Sequence, residues 1–279
     1  MVRTCAEPER RTPTVNVYLC DEDDEVFDAP STYREDVMRR GFYRGHHFGA
    51  PARLKCIDDA NLALSHDDPG MIIWSFVIKY VLTVRALRAN VLHLKGAAVA
   101  YEGQAFLMLG RGGSGKTEVV RALCERGAGL MANTHLLVDG GSACGIRSNL
   151  RVRKNGRDVY VPVDRQPDLA ASVGWMPIGG VFWLKHRSDG ASHVRRMPPG
   201  HARANMQLFS EAMRNWELKE DVADLVDGDP FEFAELVMRI DALLDVFCDR
   251  HEVHYLNLDI FSGDGMERLL AAMQRGPAG

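Results

Sequence analysis

The sequence predicts an α/β protein with a mixed sheet flanked by helices, and three observations predict it. The apolar run Gln104 to Leu109 leads straight into Gly110-Arg111-Gly112-Gly113-Ser114-Gly115-Lys116-Thr117, and a helical stripe follows. That order of strand, glycine loop and helix is the setting of a phosphate-binding loop. A second apolar run, Val91 to Ala100, reaches Gln104 through the tight turn Tyr101-Glu102-Gly103, so the two strands are antiparallel and the sheet is mixed. Finally, Pro230 opens a stretch in which Phe233, Leu236, Val237, Ile240, Leu243, Leu244 and Phe247 recur at helical spacing, after the capping residue Asp229.

Composition narrows the class. Hydrophobic residues make up 46% of the 279 positions and charged residues 26%, which suits an ordinary globular core. Lysine and arginine number 34 against 38 acidic residues, a net charge of −4, so nothing suggests general nucleic-acid binding. The six cysteines are scattered without a C-x-x-C pair, so neither a zinc site nor a disulfide framework is indicated. Met1 to Arg11 lacks the apolar core of a signal peptide, and a reducing cytoplasm is expected.

Taken in order, Thr14 to Cys20 alternates as a strand does, and the acidic run Asp21 to Glu25 ends it. The run reads as a solvated loop or as a surface that attracts a cationic substrate. His46-His47 has no third ligand at metal spacing and reads as surface or packing. Ala50 to Leu64 supplies a further strand or two before the turn Asp67-Asp68-Pro69-Gly70. In Met71 to Asn90, Ile73, Val77, Tyr80, Val84 and Leu87 fall on one stripe. Lys79, Arg85 and Arg88 interrupt it, so it reads as a buried helix and not a membrane span.

Beyond the loop, Gly127 stops the helix, and Gly129 to Asp139 reads as one strand. Gly145 to Arg153 and Arg157 to Val163 flank the hairpin signal Asn155-Gly156, and Ile178 to Lys185 and Ser192 to Met197 read as a pair around Ser188-Asp189-Gly190. Pro199 to Trp216 reads as a helix and Val253 to Leu258 as a late strand, with Asp264-Gly265-Met266-Glu267 spaced as a cap for the last helix. Residues 1–90 thus read as strands and a long helix packing on a core of residues 91–279, in one continuous globular unit.

The chemistry centres on the loop. Its glycines let backbone N–H groups close around phosphate oxygens, and the helix N-terminus adds partial positive charge. Lys116 reaches the β- and γ-phosphates, the Thr117 hydroxyl ligates Mg²⁺, and Gly110 to Glu118 forms the nucleotide cradle.

From Leu94 to Thr134 the chain resembles, without a gap, HPr kinase/phosphorylase, a P-loop kinase related to phosphoenolpyruvate carboxykinase. The resemblance is carried by Lys95-Gly96, Gly103, the loop, Glu118, Arg126-Gly127 and Leu130-Met131-Ala132. It implies a mixed-sheet kinase core of that type and a nucleotide site. Family members usually have His where Lys95 stands and an Asp-Asp pair where Asn133-Thr134 stand, and this sequence departs at both places. By the resemblance, Lys95 faces the γ-phosphate, where an ammonium could neutralise developing charge. A solvated strand-end lysine is the alternative. Asn133 can still offer a metal its carbonyl oxygen, without charge.

Other candidates come from the residues themselves. His93 shares a strand face with Lys95, and His135 shares one with Asn133. His135 is the nearby group whose ordinary pKa suits a general base, with a packed structural histidine as the alternative. Asp139 ends an apolar run in the form of a Walker B. Arg147, Arg151 and Arg153 fall on one strand face, suited to phosphate or carboxylate binding or to a charged edge that blocks aggregation.

The expected function is an ATP- or GTP-dependent kinase using Mg²⁺ and phosphorylating a hydroxyl of a small molecule, such as an aminosugar-like specialised metabolite of a biosynthetic pathway. A serine kinase acting on a peptide or protein and a non-catalytic nucleotide switch are the alternatives. Nucleotide and a hydroxyl-bearing substrate are the expected partners, with neither nucleic acid nor membrane; a homo-oligomer is compatible with the sequence.

Overall fold

The structure, a computed structural model, describes residues 16–27, 42–47, 50–57, 61–73, 82, 86–148, 150–154, 157–161, 172, 174–186, 192–209, 230–259 and 263–274. The chain divides into two compact units, one of residues 9–88 and 213–240, the other of residues 1–8, 89–212 and 241–279.

In the first unit, β1 (Asn16–Leu19), β2 (Phe42–His47), β3 (Ala50–Cys56) and β4 (Asn61–Ser65) form a sheet ordered β1-β4-β3-β2. β1 runs parallel to β4, and the other neighbours are antiparallel. The acidic run is an exposed turn, as a solvated loop should be, ending in a 3-10 turn over Glu25–Phe27. Lys55 is buried beneath it and donates to the Val26 carbonyl at 2.8 Å. Short helices α1 (Pro69–Ile72) and α2 (Ala86–Arg88) mark the two ends of the long apolar segment, with Leu82 and Leu87 buried. The rest of that segment lies outside the described residues.

The second unit holds a mixed sheet of nine strands. They are β5 (Leu92–Lys95), β6 (Ala97–Tyr101), β7 (Gln104–Leu109), β8 (Gly129–Ala132), β9 (His135–Val138), β10 (Ser142–Ile146), β13 (Met176–His186), β14 (His193–Arg196) and β15 (Val253–Leu258). β11 (Leu150–Lys154) and β12 (Arg157–Val161) form a separate hairpin. The helices are α3 (Lys116–Cys124), α4 (Pro199–Phe209), α5 (Pro230–Arg250), which runs across the division between the units, and α6 (Gly263–Gln274).

β7, β13 and β15 are parallel neighbours, and β6 returns antiparallel on β7. The β6–β7 turn has Glu102 at φ 50° and Gly103 at φ 76°. Two left-handed residues are what a two-residue turn needs to match strand twist.

One face of these strands builds the core. Alternation puts Phe106 and Met108 of β7, Phe182 and Leu184 of β13, and Leu256 and Leu258 of β15 on the same side. There they bury Val119, Val120 and Leu123 of α3 and Met266, Leu269 and Met273 of α6. Each such side chain contributes about 1.5–3 kcal/mol by leaving water. This packing fixes the start of α3 at the end of β7.

The structure corrects several expected elements. Residues 91–100 form two strands, and so do residues 129–139. Both long segments break at the same level, where the Gly96 N–H donates to the Thr134 carbonyl at 2.9 Å. β5 pairs with β9 and β6 with β8, so the antiparallel ladder continues through the break. From β9 the pairings run through β10, β13, β7 and β6 to β8, which rejoins β9 at Asn133-Thr134. Asn133-Thr134 links β8 to β9 as Gly96 links β5 to β6, and these two breaks, bonded to each other, form a corner of the sheet. A Cβ at Gly96 would lie 2.7 Å from Leu109 Cδ2 and 3.0 Å from Leu136 Cδ1, so any larger residue there would have to push these leucines aside.

β13 and β14 do not pair with each other. β15 lies between them and bonds to both, because a late strand with more apolar length displaced the local hairpin. The segment 145–153 is likewise split: β10 joins the large sheet and β11 pairs with β12. The hairpin around 155–156 forms as expected. α6 starts before the expected cap, and Asp264 binds Arg268 within the helix at 2.9 Å. Asp229 and the end of the expected helix 199–216 fall outside the described residues. Among the described residues, no helix is long and apolar enough to cross a membrane.

Candidate functional site

The glycine loop leaves β7 at its C-terminal end, the same end at which β13 and β15 finish. Ligands of open α/β sheets sit at such ends. Gly110 has φ 137°, and a Cβ there would lie 2.6 Å from the Leu184 carbonyl oxygen, so the loop passes against β13 with no room for a side chain. Gly113 and Gly115 have φ 75° and 87°, left-handed turns that lead into α3. No side chain caps the N-terminus of α3, so its first-turn N–H groups remain open to an anion.

Lys116 folds over this loop. Its Nζ donates to the carbonyls of Gly110 and Arg111, both at 2.8 Å, and to Ser114 Oγ at 3.3 Å. Its pKa is pushed down to about 8, first by burial and then by the positive charge of Lys95, with Glu118 pulling it back. The Lys95 side chain is exposed at the end of β5. Thr117 is half-buried and Glu118 exposed in the first turn of α3; Arg111 and Gly112 are exposed.

Lys95 is paired directly with His135 across the β5–β9 ladder, and His93 lies two residues along the same face. Both histidines are 2% exposed. The His93 Nε2 and His135 Nδ1 atoms are 3.0 Å apart, and the rings tilt 35° to one another. The sequence placed His93 beside Lys95 but did not foresee its bond to His135, because that contact depends on the pairing of β5 with β9.

Asn133 does not join this group by strand alternation, since Asn133 and Thr134 lie between β8 and β9. Its amide is turned onto Ser148: Nδ2 donates to Ser148 Oγ at 2.9 Å, and Oδ1 accepts the Ser148 N–H at 2.8 Å. Ser148 Oγ is in turn 3.5 Å from Thr134 Oγ1. Nothing in the sequence singles out Ser148, whose role comes from the corner of the sheet.

Asp139 lies at the far end of β9 from His135, roughly 13 Å away by strand rise. Its Oδ1 accepts the Ser142 N–H at 3.3 Å in the turn to β10. Arg147 follows β10, whereas Arg151 and Arg153 belong to β11. Arg151 and Arg153 therefore share a strand as expected, and Arg147 does not belong to it. Among the described residues, no group of three or more His, Cys, Asp or Glu side chains is placed to hold a metal ion.

The arrangement is a glycine loop under the Lys116 ammonium, with Lys95 at the end of β5 opposite a buried histidine pair and a neutral cluster of amide and hydroxyls at the corner. No family model matches the sequence, and no curated protein matches it. Among solved structures, the chain is similar to the Hpr(Ser) kinase/phosphatase from Coxiella burnetii, with a TM-score of 0.29 and 14% identity, over 51% of this chain and 98% of that one.

Proposed function

We propose that the chain is a phosphotransferase that moves the γ-phosphoryl group of ATP or GTP to a hydroxyl of a small molecule, with an aminosugar-like metabolite as the favoured class. One observation carries the reading: Lys116 lies over a glycine loop that runs into the uncapped N-terminus of α3, and Lys95 sits opposite His135 in the neighbouring ladder. In this reading the loop serves as the phosphate cradle, Lys95 as a second cation for the transferred group and His135 as the group that takes a proton.

Phosphoryl transfer needs little more than positioning and charge neutralisation. Binding of the triphosphate draws Lys116 off the Gly110 and Arg111 carbonyls onto phosphate oxygens, and the first-turn N–H groups of α3 take the rest. Lys95 offsets charge on the transferred group. His135 takes the acceptor proton as the acceptor oxygen bonds to phosphorus and the bridging bond to the nucleoside diphosphate breaks. For Mg²⁺, Thr117 and Asn133 provide hard but uncharged oxygens, and Asn133 Oδ1 already accepts one hydrogen bond. Such a donor set suits an ion whose other ligands are phosphate and water. Bound there, it would neutralise the phosphates.

The neutral cluster of Asn133, Thr134 and Ser148 favours a second reading, a nucleotide-binding switch without transfer. Incubation with γ-labelled ATP or GTP and a panel of sugars, aminosugars and serine peptides decides between them. Label on a small molecule supports the first reading, label on a peptide moves the acceptor class, and tight nucleotide binding without transfer supports the switch.

A further inference from the structure

We infer that Asn257 anchors the purine base of the bound nucleotide, its Oδ1 accepting an N–H from the edge of the ring. The inference rests on the proposed nucleotide site at the glycine loop. It does not rest on any transfer from that nucleotide.

An unpartnered atom carries the argument. Asn257 is 5% exposed, and its Oδ1 is sealed from solvent with no hydrogen-bond donor in reach. A buried carbonyl oxygen is seldom left in that state without a use for it. An apolar side chain of the same size would avoid the cost of stripping the oxygen of water.

Its position says what the use is. Strand alternation puts Phe182 and Leu184 of β13, and Leu256 and Leu258 of β15, on the face that packs against α3 and α6. Asn257 is on the opposite face, at the end where the parallel strands finish and the glycine loop leaves β7. Lys185 of β13 and His193 of β14 lie in register on either side of it. Gly110 abuts the carbonyl of Leu184, the residue before Lys185. Asn257 is thus level with the start of the loop and two strands away from it, about 10 Å by strand spacing. Lys95 lies just before β6, which flanks β7 on its other edge. A nucleotide whose γ-phosphate points to Lys95 extends its base toward Asn257, with the ribose bridging the gap.

The neighbouring side chains suit a flat ring. The row before Asn257 on the same face is Trp183, Tyr255 and Arg195. The Arg195 guanidinium lies 5.0 Å from the centre of the Tyr255 ring, and the His193 ring is 5.9 Å from it. Aromatic and guanidinium planes are the surfaces on which bases stack. An ammonium could also donate to Oδ1, but Lys185 and Arg195 disfavour a cationic occupant. A purine is neutral and planar, and both adenine and guanine carry an N–H edge; asparagine pairs well with that of adenine. Lys185 and His193 are exposed, so their side chains can rotate to admit the ring edge without moving the strands.

The test is calorimetric binding of ATP, GTP, purine riboside triphosphate and inorganic tripolyphosphate to the full-length protein, wild type and Asn257→Leu. Purine riboside triphosphate keeps the ring but has no N–H on its edge. In the wild type, ATP or GTP should bind at least about tenfold tighter than that analogue, the scale of one buried hydrogen bond lost, and the tighter of the two names the base. Asn257→Leu should lose the preference and keep its affinity for tripolyphosphate. Equal wild-type affinity for ATP, GTP and the analogue overturns the inference without any variant, so it stays decidable if Asn257→Leu does not fold. An undiminished preference in folded Asn257→Leu overturns it as well. Tripolyphosphate bound as tightly as either nucleotide removes the base site and leaves the phosphate loop standing, and binding of none of the four removes both. Base-dependent binding without transfer to any acceptor keeps the base site and removes the phosphotransfer reading instead.

Discussion

The glycine loop and the corner of the sheet at Gly96 and Asn133-Thr134 lie side by side, yet they are built in opposite ways. The loop is local. A strand, the eight residues from Gly110 to Thr117 and a helix follow one another in the chain, and core packing of Val119, Val120 and Leu123 fixes the geometry. The corner is non-local. It brings together residues from β5, β9 and the segment after β10, each held by pairing with a distant strand. A contiguous motif can thus be read without knowing the fold, whereas a constellation cannot be read until the strand partners are known.

The largest expected effect breaks the local half. Lys116→Ala removes the ammonium over the loop, along with its bonds to Gly110, Arg111 and Ser114. Nucleotide-dependent activity should vanish, while circular dichroism and thermal unfolding stay close to wild type, because Lys116 is not part of the core. Wild-type turnover in this variant would end the phosphate-binding assignment of the loop.

Next in size is Lys95→Ala, which tests whether the two halves act together. Loss of one electrostatic stabiliser of the transition state lowers kcat by about 10²–10³, and nucleotide affinity should change less. A loss confined to KM for the acceptor would place Lys95 in substrate binding and leave the two regions chemically separate.

The same pair gives a smaller, graded effect in pH. Burial and Lys95 hold the Lys116 pKa at about 8 in the free protein, below its ordinary 10.5. Phosphate binds the protonated form. Triphosphate affinity measured by calorimetry should therefore be level below about pH 8 and fall above it, at most tenfold per pH unit. In Lys95→Ala one cause of the depression is gone, so the fall should begin at higher pH. An identical pH profile in the two proteins would mean that Lys95 does not act on the loop. The stability sign is opposite: the unfolded chain binds more protons between about pH 8 and 10.5, so the Lys116 contribution to stability rises with pH across that window.

How much was legible follows from this contrast. β7, the start of α3 and its stop near Gly127 emerge where sequence pattern places them, because alternation, a glycine motif and a helical stripe are all short-range. The hairpins β6–β7 and β11–β12 were legible for the same reason. The errors all concern partners. Ile178 to Lys185 and Ser192 to Met197 read as a hairpin because the turn signal is local, while β15, more than fifty residues on, takes the position between them. Arg147 and Arg151 read as one face because no sequence signal marks the point where a strand leaves a sheet. Asp139 read as a possible ligand because a buried strand ending in a turn looks the same whichever end of the sheet it occupies. His93 and His135 were both noticed, but their bond follows from the register of β5 on β9, which no local signal marks.

The smallest expected effects separate structure from chemistry at Asn133, where the two regions meet. Ser148→Ala deletes the acceptor of the Asn133 Nδ2 bond but keeps the Ser148 N–H to Oδ1, so it should cost about 1 kcal/mol in urea unfolding. Asn133→Ala removes both bonds and leaves a half-buried N–H without its partner, at a cost of about 1–3 kcal/mol. If the amide is only a clasp at the corner, both variants lose stability and keep the wild-type dependence of nucleotide affinity on Mg²⁺. If Asn133 also lends Oδ1 to the ion, Asn133→Ala needs more Mg²⁺ for half-maximal nucleotide binding, while Ser148→Ala, with Oδ1 intact, does not. Equal Mg²⁺ curves for all three proteins would assign the ion to Thr117, phosphate and water alone. The corner would then be what its hydrogen bonds describe: a fixed joint holding Lys95 and His135 beside the loop.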